Sequence, residues 1–236
     1  MLAHEKAHWW YRGRRELLRH VLARRVGRVP RLLEIGCGTG SNLAMLSEFG
    51  AVEGLETSDF ARAVAAERGY PVHAGQLPTG LPQDIGPFDA ICMFDVLEHI
   101  EADAAALAAV RCLLRQGGRL VLSVPAYQWL FGAHDVRLQH FRRYSRAQLT
   151  AMVRRAGFAL DWSSYFNTLL FPPAALVRLA ERAGARLASD ASGAAHELPR
   201  GNALLYRIFG AEKHLTNLVP LPFGLSIVCV ATREGD

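Results

Sequence analysis

The segment Glu34-Ile35-Gly36-Cys37-Gly38-Thr39-Gly40 follows directly on the apolar residues Leu32 and Leu33. A short buried strand that runs into three glycines leaves the chain few choices. Glycine is required where a chain turns tightly or where a ligand comes close to the backbone. Residues 41–49 then resume helical spacing until Gly50 stops them. A helix entered from such a turn offers unpaired N–H groups at its start. The dinucleotide fingerprint needs its third glycine at position 41. Ser41 stands there, and the third glycine comes one residue early, at Gly40. This spacing disfavours a nicotinamide or flavin cofactor.

Strand and helix signals alternate on both sides of this loop. Residues 4–27 carry a helical stripe of Trp10, Leu17, Leu18, Val21, Leu22 and Val26. After the loop come a strand in AVEGLE, a helix in SDFARAVAAERG capped by Ser58 or Asp59, and a strand in YPVHAG. FDAICMF reads as a strand, EADAAALAAVRCLL as a helix, QGG as a break and RLVLSVP as a strand ended by Pro125. A helix in SRAQLTAMVRRAGF and a strand in ALDWSSYF follow, and FGLSIVCVATRE closes the chain as a last strand. Such alternation predicts an α/β fold: a Rossmann-like, seven-stranded, mostly parallel sheet with helices on both faces. The expected layout is one domain over residues 1–236. It comprises a helical cap (1–30), a core (31–166), a helical insertion or lid (167–222) and the final strand (223–236).

Hydrophobic types make up 50% of the 236 residues and charged types 21%, which is the balance of a globular chain and excludes a disordered or collagen-like one. No apolar run reaches the ~20 residues of a membrane-spanning helix, and the charged, aromatic N-terminus is unlike a secretory signal. The four cysteines, Cys37, Cys92, Cys112 and Cys229, form no CxxC pair. They read as small reduced core residues, which suits the cytoplasm, and no metal is expected. The net charge of +5 permits anionic partners, yet no block of five like charges and no RNA-binding signature is present, so nucleic acid is disfavoured.

Ligands of open α/β sheets bind beyond the carboxyl ends of the strands, where strand order reverses. Glu34–Gly40, Glu56, Gln76, Phe94–His99 and Pro125–Tyr127 fall at those ends. Glu56 stands 56 − 36 = 20 positions after Gly36, where an acid accepts hydrogen bonds from both hydroxyls of a ribose. A solvated strand-end glutamate is the plainer alternative.

EIGCGTG, VEGLETS, FDAICMFDVLEHI and LLRQGGRLVLSVPA, in that order and spacing, resemble the class I S-adenosylmethionine-dependent methyltransferases over about residues 31–161. HWWYRGRRELL, HFRRYSRAQL and FPPAALVRL resemble a bacterial subgroup associated with small-molecule and lipid-linked glycan substrates. The resemblance implies S-adenosylmethionine as cofactor and S-adenosylhomocysteine as product. It implies that Glu34, Gly36, Cys37, Gly38 and Gly40 line the methionine and ribose side. Glu56 would hold the ribose diol, with Thr57 beside the adenine. Where many relatives carry an acid toward the adenine amine, this chain has Gln76-Leu77, which retains one acceptor. Phe94 and Asp95 would meet the methionine amine through the backbone, and Tyr11 and Arg14 of the cap would close over its carboxylate. A plain amphipathic helix packing its tryptophans is the competing reading of that cap.

Methyl transfer from a sulfonium is an in-line displacement, so the protein must align the acceptor, exclude water and take up a proton where the acceptor loses one. His99 is the expected base, since its ordinary pKa of ~6.5 suits the task. Glu98 is expected to be structural. The loop after the fifth strand offers Tyr127, His134, His140, Arg143 and Tyr144 as acceptor contacts, with Trp129, Asp135 and Arg142 among them. In the insertion, Phe166, Leu169–Val177 and Leu204–Phe209 read as two covering helices. Alternatively, with Arg178, Arg182, Arg186 and Arg207, they form a lid that meets a membrane surface, or a dimer face. The expected function is methyl transfer to a small-molecule or lipid-linked glycan acceptor, at oxygen, by a monomer or homodimer that is cytoplasmic or membrane-associated. The alternatives are a non-catalytic S-adenosylmethionine-binding module and an RNA methyltransferase.

Overall fold

The computed structural model describes residues 7–182 and 201–235. In chain order the elements are α1 (Trp9–Arg25), β1 (Arg31–Ile35), α2 (Leu43–Leu46), β2 (Ala51–Glu56), α3 (Asp59–Glu67), β3 (Val72–Ala74) and β4 (Phe88–Phe94). They continue with α4 (Asp103–Leu113), β5 (Leu114–Pro125), α5 (Ala133–Arg137), α6 (Arg146–Arg155) and β6 (Phe158–Phe166). The last three are α7 (Phe171–Arg182), α8 (Asn202–Leu218) and β7 (Ser226–Arg233). The expected helix at 41–49 shrinks to one turn. The expected break at QGG is instead a bulge inside β5, where Gly117 takes φ +73° and the register with β4 shifts.

The seven strands form one sheet in the order β3-β2-β1-β4-β5-β7-β6. β1 through β5 pair in parallel, while β7 runs antiparallel to both neighbours. Strand order reverses between β1 and β4, so a crevice opens at their carboxyl ends. Side chains alternate between faces. On one side, Leu33, Ile35 and Leu122 pack with Leu107 and Val110 of α4 and Leu149 and Val153 of α6. On the other, Leu32, Cys92, Val121 and Val230 pack with Leu17, Leu18 and Leu22 of α1 and Phe209 of α8.

The cap and the insertion therefore belong together. Gly13 of α1 leaves a notch for Phe209: a Cβ there would lie 2.3 Å from the ring. The Asn202 side chain accepts from Trp9 N–H at 2.8 Å and donates to the Ala7 carbonyl at 3.0 Å. Lys213 pairs with Glu16 at 2.9 Å, and Trp10, Phe166 and Phe209 stack. α8 thus packs against α1 on this face of the sheet. Outward, however, Leu176, Val177 and Leu179 of α7 and Leu204 and Leu215 of α8 are exposed. Arg186 and most of the polar stretch 187–201 lie outside the described residues. Among the described residues no helix is long and apolar enough to cross a membrane.

Candidate active site

Gly36, Gly38 and Gly40 all take positive φ, +69°, +54° and +77°, so the turn after β1 depends on them. The three differ in surroundings. A Cβ on Gly36 would lie 2.6 Å from Val96, and one on Gly40 would lie 3.0 Å from Ala65. At Gly38 no atom lies within 4 Å. Open space therefore lies over the middle glycine. Cys37 turns inward instead: it is buried against Gly54, and burial pushes its thiol up to about 12. Cys112, by contrast, is exposed, so only three of the four cysteines are core residues.

Glu56 ends β2 and reaches back to this loop. It accepts from Gly38 N–H at 2.9 Å, Ser58 N–H at 2.9 Å and the Thr57 hydroxyl at 3.1 Å. Glu34 is buried at the end of β1. Asn42 donates to its Oε1 at 2.7 Å, while Oε2 has no partner. Burial raises this carboxyl to about 8 against the opposing pull of Asn42 and Arg14. Phe94 packs in the core, so only its backbone is placed for a ligand. Asp95 follows it with φ +55° and pairs with Arg14. Gln76 is exposed beyond β3, its N–H bonded to the Gly80 carbonyl, and Leu77 is buried beside it. Tyr11 stands in the first turn of α1, edge-on to His8. An open glycine cradle, a carboxylate at its rim and a buried oxygen without a partner fit an adenosyl cofactor with a charged methionine end.

The turn after β4 is a 3-10 turn, Leu97–His99, rather than the start of a long helix. Glu98 is fully buried and neither carboxylate oxygen has a hydrogen bond; burial and then Asp95 drive its pKa well up. His99 meets His140 edge-on, centroids 4.5 Å apart, and burial followed by His140 lowers its pKa. The sequence places His140 among the acceptor-side residues of a distant loop, and the fold brings it onto His99.

That loop is organised by Asp135. It accepts from Arg143 at 2.7 and 3.0 Å and from Gly132 N–H at 2.9 Å, and lies 3.0 Å from His140 Nδ1. These bonds hold its carboxyl well below the usual range despite burial. Arg143 is thus committed to the loop rather than presented to an acceptor. Tyr144 is buried, its hydroxyl donating to Asp103 at 3.0 Å, so it is a core residue and not an acceptor contact. Tyr127 stacks on Tyr165 at 5.2 Å and leans on Phe171. His134 is half-buried and its pKa is lowered, first by burial.

The sheet order, the glycine turn and the strand-end acids define the fold of class I methyltransferases. Residues 9–162 match the model of a family described as a methyltransferase domain, and the chain belongs to that family. It is an S-adenosylmethionine-dependent methyltransferase. A Mycolicibacterium smegmatis protein described as "Probable S-adenosylmethionine-dependent methyltransferase" is 26% identical over 95% of this chain and 89% of its own. A ubiquinone biosynthesis O-methyltransferase of Xanthomonas axonopodis pv. citri is 30% identical over 61% of this chain and 69% of its own. The solved Haemonchus contortus phosphoethanolamine N-methyltransferase 2, in complex with phosphomonomethylethanolamine and S-adenosylhomocysteine, shares the fold. Its TM-score is 0.61 at 17% identity, covering 94% of this chain and 53% of that one.

Proposed function

We propose that the chain methylates an oxygen of a small-molecule acceptor, of which a lipid-linked glycan precursor is the favoured kind. The observation that carries this reading is the polar cluster of Glu98, His99 and His140 just beyond the carboxyl end of β4, on the same rim as Asp95. A hydroxyl acceptor must shed its proton, and His99 is the group held there for it. The curated ubiquinone O-methyltransferases among the relatives support oxygen. The bound cofactor supplies an activated methyl and a neutral leaving group. The chain's own residues do the rest: Glu56 and the glycine loop fix the nucleoside, Asp95 and Arg14 border the methionine end, and the aromatic wall of Tyr127, Trp129 and Phe171 bounds the acceptor side.

The lipid-linked acceptor is supported by the exposed leucines of α7 and α8, with Arg178 and Arg207 on the same helices. In this reading the protein acts in the cytoplasm at a membrane surface, as monomer or homodimer. The test is turnover of labelled S-adenosylmethionine against hydroxyl- and amine-bearing acceptors, free and lipid-linked. Methylation of amines alone refutes the assignment to oxygen, and turnover of free acceptors only refutes the lipid.

A further inference from the structure

The acceptor-side cluster has the build of a metal site. One oxygen of Glu98 and one ring nitrogen each of His99 and His140 lie within 4.8 Å of one another. Glu98 supplies a fully buried carboxylate with both oxygens unpartnered. A buried carboxyl without a hydrogen-bond partner is costly, and a cation among these three groups supplies the missing partner.

The two imidazoles are oriented as ligands commonly are, each steadied by a second contact. His140 Nδ1 is held by Asp135 at 3.0 Å, which leaves Nε2 for an ion. Asp135 is itself clamped in a two-pronged bond by Arg143 and by Gly132 N–H. His99 lies edge-on to His140, ring centroids 4.5 Å apart. Gln139 takes φ +59° to make that approach. The loop is thus bent and braced to bring His140 onto the turn after β4.

We propose that Glu98, His99 and His140 bind a divalent transition-metal cation such as Zn²⁺, with a further coordination position open to the acceptor. Two imidazoles and one carboxylate suit such an ion, whereas Ca²⁺ and Mg²⁺ prefer oxygen ligands alone. Ion–ligand distances of about 2.0–2.2 Å require the three ligand atoms to draw in by roughly 1 Å, within reach of side-chain rotation. The inference deepens the methyl-transfer reading at the same site. With the ion bound, His99 is a ligand rather than the base, and an acceptor hydroxyl on the ion would release its proton more readily to solvent water.

The test does not use methyl transfer. The full chain is stripped with chelator, dialysed and titrated with Co²⁺ and Zn²⁺. Calorimetry and the visible absorption of Co²⁺ give stoichiometry and affinity, and circular dichroism checks that each variant folds. One Co²⁺ per chain, displaced by Zn²⁺, is expected. Glu98→Gln and His140→Ala each weaken binding about 100-fold or more, and Asp135→Asn about 10- to 100-fold. His73→Ala, on β3 and paired with Glu53, keeps wild-type affinity. Should Glu98→Gln fail to fold, His140→Ala and His99→Ala carry the comparison. Absence of stoichiometric binding, or equal affinity in wild type and folded ligand variants, overturns the site and leaves His99 as a free base.

Discussion

Arg14 of α1 pairs with Asp95 at the end of β4, across 81 residues of sequence. Asp95 also accepts from the Ser123 hydroxyl at 3.1 Å, and its N–H bonds the Ser123 carbonyl at 2.9 Å. One carboxylate therefore ties the cap to two neighbouring strands at the switch point of the sheet. The cap is in this way joined to the carboxyl ends of β4 and β5 and not only laid upon the sheet.

Removing Arg14 leaves Asp95 with a charge and one partner fewer. The pair is largely buried, so Arg14→Ala is expected to cost about 2–4 kcal/mol in the ligand-free protein. Denaturant unfolding with and without S-adenosylhomocysteine measures this. Unchanged stability in both states shows the pair to be idle.

Gly38→Ala separates folding from binding. The new methyl meets no protein atom, so the cost is the strain of a positive φ, on the order of 1 kcal/mol. In the proposed complex the same methyl would stand where the cofactor approaches the loop. Calorimetry should show a folded protein whose affinity for S-adenosylhomocysteine has fallen at least tenfold; retained affinity moves the cofactor off the loop.

Glu56→Ala removes the acceptor for the ribose and the brace on Gly38 N–H. Cofactor affinity is expected to fall by roughly 1–3 kcal/mol. Glu56→Gln should recover part of it, because one oxygen remains as acceptor. Equal affinity in all three proteins would falsify the role of Glu56.

Glu34 makes the ligand-free protein sensitive to alkali. Its carboxyl titrates near 8 in the fold and near 4.5 in the unfolded chain. The folded state thus holds the extra proton, and this group costs stability progressively as pH rises from 4.5 to 8, with no cost below that window. Glu34→Gln lacks the ionisation. Its stability relative to wild type should climb across that window and level off above it, as melting temperatures at stepped pH would record. A flat difference means Glu34 titrates normally.

Gly13→Ala drives a methyl into the ring of Phe209. Overpacking of this kind costs about 1–3 kcal/mol, and trimming the ring as well, in Gly13→Ala/Phe209→Leu, should return part of it. Additive losses in the double variant would show that the two positions do not meet.

The order of strands and helices was legible because each element carries a local signal. Glycines close β1, Ser58 caps α3 at 3.3 Å to Ala61 N–H, and Ser145 with Gln148 forms a capping box at α6. The residues expected around the cofactor carry the same kind of signal, since they sit at strand ends. The acceptor half was not legible in this way. Tyr144 and Arg143 look like substrate contacts in the sequence, and only the fold gives them Asp103 and Asp135 as partners. Glu98, expected to be structural, lies fully buried in a 3-10 turn, a placement that the sequence pattern does not show. His140, 42 positions further on (140 − 98), joins it by a loop closure that no periodicity records.

The notch at Gly13 is filled by a ring supplied from far along the chain, so the layer on this face of the sheet is a shared possession of α1 and α8. Evolution cannot enlarge one side without carving the other. Among relatives, positions 13 and 209 are therefore expected to change in concert, even where the sheet between them stays the same.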